Sequence, residues 1–297
     1  MFAVKFYDTV VSEVPQVTTV KSLDTIINSS SLWIGRLPYL TTESHKYSRG
    51  HVLIIGGYPM AGAARLAARA AMRVGSGMVT VAVPPHGVNA YVSAMEYAIV
   101  LPLLETDPLI DIVRQRKISA ILLGPGLGVS DLTRSRVLEA LQCGVPIVLD
   151  ADALTSFSND PEELFGSIIG PCIITPHEGE FSRLFNLDGP KVERAQQAAH
   201  ISHSTVVLKG SSTIIASTEG SPIINTNAPA SLSTAGTGDV LAGIIVSLIA
   251  QGMPLFDAAA AATWIHAEAA RKFSVGLIAQ DLPDLLLAVI RELHVSN

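Results

Sequence analysis

Residues 235–250 read AGTGDVLAGIIVSLIA, small residues and one acid in front of an apolar stretch of helical length. This order predicts that Gly236 and Gly238 lie at a helix N-terminus, where unpaired N–H groups and the positive end of the helix dipole attract anions. Glycine also lets the backbone approach a phosphate closely. Asp239, at the edge of such a cavity, is suited to take a proton from a hydroxyl that attacks phosphorus. The alternative is an acid that only complements the helix dipole.

The sequence upstream of this stretch alternates short apolar segments with segments of helical composition. It predicts strands at residues 51–55, 78–83, 120–123, 145–149, 172–174 and 205–208, and helices at residues 61–74 and 132–142. This alternation predicts an α/β fold with a mostly parallel central sheet and helices on both faces. Because no linker or repeat divides the chain, we expect one domain over residues 1–297, with residues 1–44 as a weakly patterned leader that packs on it.

Composition and charge exclude several classes of protein. Hydrophobic residues make up 48% of the chain, which allows a large core, and the formal net charge of −6 argues against a nucleic-acid partner. The longest apolar run, residues 240–250, is too short to cross a bilayer, and residues 1–31 contain no signal-peptide run. Cys143 and Cys172 have the spacing of neither a zinc site nor a disulfide framework. We therefore expect a cytoplasmic protein without a membrane partner.

Two glycine-containing segments stand where ligands of an open parallel sheet bind, at the carboxyl ends of predicted strands. They are GPGLG at residues 124–128 and KGSST at residues 209–213. The amides, lysine and hydroxyls of the second segment could hold the phosphates of a nucleotide. The first segment permits close backbone approach or serves only packing. The chain has no G-x-x-x-x-G-K-[ST] segment, which excludes a P-loop.

Carboxylates and an imidazole follow two further predicted strands. Asp150 and Asp152 flank Ala151, and one of them, first of all Asp150, could face a magnesium shell while the other caps the next helix. Glu180 could reach magnesium through water, and His177 could hydrogen-bond a substrate amide or phosphate. His266 lies in an alanine-rich segment, and we expect it to serve helix packing.

Taken together, these segments resemble the ADP- or ATP-dependent NAD(P)H-hydrate dehydratases, a ribokinase-like family. The resemblance covers roughly His45 to the C-terminus, and the motifs stand in the family's order. They are His45-Lys46 with Gly50, Gly56-Gly57 with Gly62-Ala63, GPGLG at 124–128, DADAL at 150–154, TPHEGEF at 175–181, KGSST at 209–213 and GTGD at 236–239. Tyr47 stands where the family has its first glycine.

The resemblance implies a role for individual residues. Asp239 would be the catalytic base, next to the amides of Gly236 and Gly238. The residues implied to bind the substrate are Ala63, a glycine of the turn (Gly126 or Gly128), His177 and Asp239. Those implied to bind the nucleotide are Lys209, Gly210, Ser211, Ser212, Thr213 and Gly238.

The resemblance also implies an activity. Such enzymes return hydrated NADH and NADPH (NADHX and NADPHX) to the usable cofactors, with ADP or ATP as co-substrate and Mg²⁺ as cofactor. Relatives are often fused to an epimerase, and we expect a separate epimerase here because only about 44 residues precede His45. A homo-oligomer, first of all a tetramer, is also expected. The alternatives are a ribokinase-like kinase for hydroxymethylpyrimidine, hydroxyethylthiazole or a sugar, and a non-catalytic nucleotide-binding protein.

Overall fold

The computed structural model describes residues 24–273 and 275–295. A ten-stranded sheet forms the centre of this part of the chain. Its strands are β1 (Ile26–Ile27), β2 (His51–Ile55), β3 (Met78–Val83), β4 (Ile99–Pro102), β5 (Ala120–Leu123), β6 (Ile147–Leu149), β7 (Cys172–Ile174), β8 (Thr205–Leu208), β9 (Thr213–Ala216) and β10 (Ile223–Asn225).

The strands lie in the order β1-β10-β9-β8-β7-β6-β5-β2-β3-β4. β9 pairs antiparallel with β8 and β10, and the other neighbouring strands pair parallel. Parallel strands end at the same edge, so the segments that follow β5, β6, β7 and β8 meet there. The predicted mostly parallel sheet is confirmed.

Helices cover both faces of the sheet, as predicted. They are α1 (Ala61–Val74), α2 (Val88–Val92), α3 (Leu109–Arg116), α4 (Asp131–Leu141), α5 (Asp152–Thr155), α6 (Pro161–Ser167), α7 (Glu178–Leu184), α8 (Lys191–Ser202), α9 (Thr237–Ala250), α10 (Leu255–Arg271) and α11 (Leu282–Val295). Side chains of β2 alternate between the faces. Val52 and Ile54 belong to the core under α1, α9, α10 and α11, whereas Leu53 belongs to the core under α3 to α8.

Two helices on one face, α1 and α9, run parallel in close contact. The Ser247 hydroxyl donates to the Ala71 carbonyl at 2.9 Å. One turn earlier, Gly243 lies so near Ala67 that an added methyl group would overlap the Ala67 carbonyl oxygen. Glycine at this position therefore permits the close approach of the two backbones.

The register of this helix pair aligns the two N-termini. Both contacting pairs are 176 residues apart in the chain, and so are the first residues, Ala61 and Thr237. By the same offset, Ala63 and Asp239 stand at the same level, each as the third residue of its helix. The packing of α1 on α9 thus aligns Asp239, the predicted base, with Ala63, which is predicted to bind the substrate.

Two differences from the predicted strands have local causes. The strand predicted at residues 145–149 begins at Ile147, because Pro146 has no N–H to donate, although its carbonyl accepts from Ile121. The antiparallel strand β9 was not predicted, because Thr213 was assigned to a phosphate-binding loop. In the structure Thr213 ends that loop and begins the strand.

The described part of the leader contacts α10 and β10. Trp33 is 1% exposed and packs edge-on against Trp264, with ring centroids 5.7 Å apart. The Asn28 amide donates to Asn225 Oδ1 and to the Ala260 carbonyl. Residues 1–23 lie outside the described residues, so the packing of the whole leader and the single domain stay predictions.

Two further features bear on the class of protein. Among the described residues no helix is both long enough and apolar enough to cross a membrane. Cys143 and Cys172 are buried free thiols, and burial raises their pKa to about 11 and about 12. The alanines of α10 are buried inside the fold as well. Both thiols and these alanines are therefore packed inside the fold.

Candidate functional site

Lys209 lies at the centre of the polar residues that follow the strands. Its Nζ is 2.6 Å from Asp150 Oδ1 and 3.9 Å from Glu180 Oε2. Thr175 Oγ1 donates to the same oxygen of Asp150 at 2.7 Å. Burial lowers the pKa of Lys209, but the carboxylates of Asp150, Glu180 and Asp239 outweigh it and leave the pKa above its usual value. Lys209 is therefore a stable cation at this edge of the sheet.

Asp239 has a carboxyl group that titrates near neutral pH. Burial raises its pKa most, the negative charge of Asp150 raises it further, and the nearby Lys209 partly opposes both. The resulting pKa is about 7. A carboxylate with a pKa close to the working pH is well suited to general base catalysis.

The N-terminus of α9 offers backbone donors beside Asp239. Gly236 precedes the helix with a φ of +90°, a conformation that favours glycine, and no described side chain caps the helix. The Thr237 hydroxyl donates instead to the carbonyls of Leu232 and Thr234, which fixes the turn. The first N–H groups of α9, including that of Gly238, can therefore bind an anion.

His177 caps α7 through its imidazole. Its Nδ1 accepts from the N–H groups of Gly179 and Glu180 at 2.9 and 3.2 Å, while the Glu180 carboxylate accepts from the His177 N–H at 2.8 Å. Because Nδ1 is an acceptor, the neutral ring carries its proton on Nε2. His177 Nε2 lies 3.5 Å from Glu180 Oε1, and because the side chain is 56% exposed, Nε2–H can also reach a ligand.

A cavity of about 770 Å³ joins the loop at residues 209–213 to the start of α9. Its volume is in the range of small-molecule sites. It is lined by six of the residues predicted for substrate or nucleotide: His177, Lys209, Gly210, Ser211, Thr213 and Gly238. Five other residues predicted for substrate or nucleotide do not line this cavity: Ala63, Gly126, Gly128, Ser212 and Asp239. The Ser212 carbonyl accepts a hydrogen bond from Lys191.

Lys191, at the start of α8, holds this loop in place and was not predicted. Its Nζ donates to the carbonyls of Lys209 at 3.1 Å and Ser212 at 2.8 Å, and lies 3.5 Å from Glu178 Oε1. An ammonium group has three donors, so these contacts use all of them. A methyl group at Gly210 would overlap the ammonium. Nothing in the sequence around Lys191 indicates this role.

His266 of α10 contacts the start of α9 from another side of the cavity. It is 6% exposed, its ring donates to the Thr237 carbonyl, and Nε2 has no hydrogen-bond partner among the described residues. Burial lowers its pKa to about 4, which keeps the ring neutral. His266 is thus a packed helix residue, as predicted, and also supports the anion-binding turn.

The glycine turn that follows β5 reaches both α1 and the end of β6. Gly126 has a φ of +69°, and an added Cβ would lie 3.2 Å from Ala63 Cβ. The Gly128 N–H donates to Asp152 Oδ2 at 2.7 Å. Gly126 therefore lies next to Ala63, which stands level with Asp239 in the pair of helices α1 and α9. The Gly128 amide already has a hydrogen-bond partner.

The carboxylates near Lys209 suit a divalent cation that a ligand brings with it. Asp150 Oδ1 accepts two hydrogen bonds, and Glu180 accepts that of the His177 N–H. Nowhere in residues 24–273 and 275–295 do three or more His, Cys, Asp or Glu side chains form a group that could hold a metal ion. With Asp239, three carboxyl groups face one lysine, a charge balance that favours a cation bound to nucleotide phosphates.

Comparison with known proteins identifies relatives of this chain. A family model described as NAD(P)H-hydrate dehydratase matches residues 52–292. The ADP-dependent (S)-NAD(P)H-hydrate dehydratase of Neisseria meningitidis is 37% identical over 252 residues, which cover 80% of this chain and 82% of that protein. The bifunctional NAD(P)H-hydrate repair enzyme of Moorella thermoacetica is 37% identical over 283 residues, 88% of this chain and 53% of that protein. The chain thus spans about half the length of this bifunctional relative.

A solved structure supports the same relationship. The ADP/ATP-dependent NAD(P)H-hydrate dehydratase of Bacillus subtilis, co-crystallised with ATP and Mg²⁺, superposes with a TM-score of 0.79 at 26% identity, covering 92% of this chain and 100% of that one. The fold is ribokinase-like, as predicted. The family match includes both Lys209 and Asp239. The chain therefore belongs to the NAD(P)H-hydrate dehydratase family.

Proposed function

We propose that this protein converts NADHX and NADPHX to NADH and NADPH, with ADP or ATP as co-substrate. The observation that carries the proposal is Asp239, a carboxyl group with a pKa of about 7 beside the free N–H groups of α9 and the cation of Lys209. The names of the relatives support the substrate class. The proposal assigns this chain the dehydration alone.

Phosphoryl transfer solves the chemical difficulty of the reaction, because hydroxide leaves the hydrated ring poorly. Asp239 takes the proton of the ring hydroxyl, whose oxygen bonds to the terminal phosphorus of the nucleotide while the bond from that phosphorus to the bridging oxygen breaks. The N–H groups at Gly238 and the Lys209 ammonium stabilise the phosphoryl charge. Phosphate then leaves with the C–O electron pair, assisted by the ring nitrogen, and loss of a proton from the adjacent carbon restores the double bond.

The other residues bind and orient the two substrates. Ala63 and the turn at Gly126 and Gly128 would contact the hydrated dinucleotide, with the Nε2–H of His177 as a donor to its amide or phosphate. Lys209 to Thr213 and Gly238 would bind the nucleotide. Magnesium, when bound, would neutralise charge on the phosphates, and Asp150 and Glu180 would reach it through water.

The family resemblance supplies the expected partner and setting. An epimerase that interconverts the two hydrate epimers would act on the same substrate. Assembly as a homo-oligomer, first of all a tetramer, and a cytoplasmic location stay predictions.

The proposal is tested by incubating the protein with enzymatically hydrated NADH and either ADP or ATP. Recovery of the reduced-nicotinamide absorbance, with free phosphate released in equal amount, is the expected result. A ribokinase-like kinase would instead accumulate a phosphorylated acceptor such as hydroxymethylpyrimidine. No recovery with either nucleotide, while the protein still binds ADP, would contradict the proposal.

A further inference from the structure

A second cavity, of about 470 Å³, lies along α1. Arg65, Arg69 and Arg73 all line it. Their spacing of four residues puts them on one face of the helix. Glu96 is the acid in the lining. The cavity therefore has an excess of positive charge in a chain whose formal net charge is −6.

Two of these arginines share one acid, and the third is available. Asp284 Oδ2 lies 2.6 Å from Arg69 Nη2, and Asp284 Oδ1 lies 2.9 Å from Arg73 Nη2. Arg65 has no carboxylate oxygen within 4.0 Å among residues 24–273 and 275–295. Its guanidinium is the cation in this lining that can pair with an incoming anion.

The cavity lies close to the starts of both α1 and α9. Gly62, the neighbour of Ala63, lines the cavity. Leu66 also lines it, and its Cδ1 lies against Gly236. Asp239 does not line the cavity, so a molecule that reacts there would reach the cavity by passing Leu66 along α1.

The spacing along α1 fits the phosphates of a dinucleotide. At a rise of 1.5 Å per residue, Arg65, Arg69 and Arg73 stand roughly 3, 9 and 15 Å beyond Ala63 along the helix axis. A dinucleotide with its nicotinamide ring at Asp239 carries its diphosphate nearer the ring, and a 2′-phosphate farther along. The planar donors of a guanidinium match phosphate oxygens.

We propose that this cavity binds a phosphate group of the dinucleotide substrate, with Arg65 as its main contact. The identity of the substrate rests on the proposed function. The cavity would fix the distant part of the molecule so that the ring hydroxyl meets Asp239. Arg65 would contribute to binding of the dinucleotide and would not affect binding of ADP at residues 209–213.

The probes are NADPH and NADH, which carry the same diphosphate as the hydrates. Their own fluorescence gives dissociation constants for the wild type, Arg65→Gln and the control Arg291→Gln. Arg291 is exposed on α11 and does not line the cavity. Arg291→Gln therefore changes the net charge as Arg65→Gln does, without changing the cavity. We expect Arg65→Gln to raise the dissociation constant roughly tenfold, the effect of a lost hydrogen bond between charged groups, and Arg291→Gln to change it by less than about twofold.

The two dinucleotides distinguish the phosphate that is bound. Equal weakening of both assigns Arg65 to the diphosphate, and weakening of NADPH alone assigns it to the 2′-phosphate. With hydrated substrates, Arg65→Gln should raise KM for the hydrate and leave both kcat and KM for ADP near their wild-type values. This split would not follow from a general loss of structure.

The proposal is overturned if Arg65→Gln binds both dinucleotides as the wild type does. It is equally overturned if the wild type binds neither at millimolar concentration. Arg65-dependent NADPH binding in a protein that fails to dehydrate NADHX would sink the proposed function and leave this site standing.

Discussion

Gly243 of α9 lies against the Ala67 carbonyl of α1, with no room for a side chain between the two backbones. The register that brings these residues together also sets Asp239 level with Ala63. The close packing of α1 and α9 occurs about two turns after the start of α9. It aligns the proposed base with the residue proposed to contact the substrate.

Gly243→Ala should lower both stability and activity. The added methyl group must push α9 away from Ala67, which costs about 1–3 kcal/mol of unfolding free energy. The shift at Asp239 should also lower kcat/KM for the hydrate. Urea unfolding and hydrate turnover measure the two effects. Gly166→Ala is the matched control, because an added Cβ there meets nothing within 4 Å; if the two variants behave alike, the packing argument is wrong.

Activity should depend on the protonation of Asp239. With a pKa of about 7, the carboxyl is mostly protonated, and so inactive as a base, below neutral pH. We expect kcat/KM for NADHX to rise about tenfold per pH unit on the acid side and to level off above pH 7. Initial rates at limiting hydrate between pH 5 and 9 provide the profile. A profile that is flat across this range would contradict the assignment of the base.

The same carboxyl group should make the folded protein less stable at high pH. Its pKa is about 7 in the folded state against 3.8 as the ordinary value, so between these values the folded state holds a proton that the unfolded chain lacks. Stability then falls by about 1.4 kcal/mol per pH unit over this window and stays reduced above it. Asp239→Asn removes the effect, so its unfolding free energy should exceed that of the wild type at pH 8 by a few kcal/mol, and not at pH 4. Urea unfolding measures the free energy at both pH values. If the variant and the wild type differ by the same amount at pH 4 and pH 8, Asp239 does not cause the pH dependence of stability.

Lys191→Met should weaken the binding of the nucleotide. The substitution removes the donors to the carbonyls of Lys209 and Ser212, so the loop loses the contact that fixes it. We expect KM for ADP to rise roughly tenfold, the scale of hydrogen bonds from a charged donor, with KM for the hydrate little changed. Calorimetric titration with ADP checks the same effect without turnover.

Arg194→Met is the control for this experiment. Arg194 pairs with Glu178 at 3.1 and 3.2 Å, as a neighbour of Lys191 on the same helix, without a hydrogen bond to the loop. It should change ADP affinity by less than about twofold, because Arg194 pairs with Glu178 and neither residue hydrogen-bonds the loop at residues 209–213. A similar loss of ADP affinity in both variants would show that the positive charges near Glu178 support ADP binding and that the contact of Lys191 with the loop does not.

The parts of the fold that local sequence determines were predicted well. β2 and α1 have the bounds predicted from the sequence, because four apolar residues follow His51 and the strand ends at Gly56-Gly57. Asp150 and Lys209 directly follow the parallel strands β6 and β8, so the rule for parallel sheets was enough to bring these two residues to one edge.

The contacts that depend on packing between distant elements were not predictable. Lys191 reaches the nucleotide loop from α8, and His266 reaches Thr237 from α10. A single lysine or histidine on a helix does not indicate which loop the fold places beside it. The alignment of Ala63 with Asp239 also depends on the register in which α1 packs on α9. Gly243 permits this register, but local sequence patterns do not reveal it.

Single-turnover reaction of hydrated NADH with ADP, in the wild type and in Asp239→Asn, measures directly whether Asp239 is the base. We expect the wild type to give one reduced cofactor, one phosphate and one AMP per turnover, with no phosphorylated hydrate left at the end. Asp239→Asn should still bind ADP and lose on the order of a hundredfold or more in rate, the range for general base catalysis. Near-normal turnover in Asp239→Asn would show that Asp239 is not the base, and a phosphorylated hydrate as the final product of the wild type would show that the protein is a kinase.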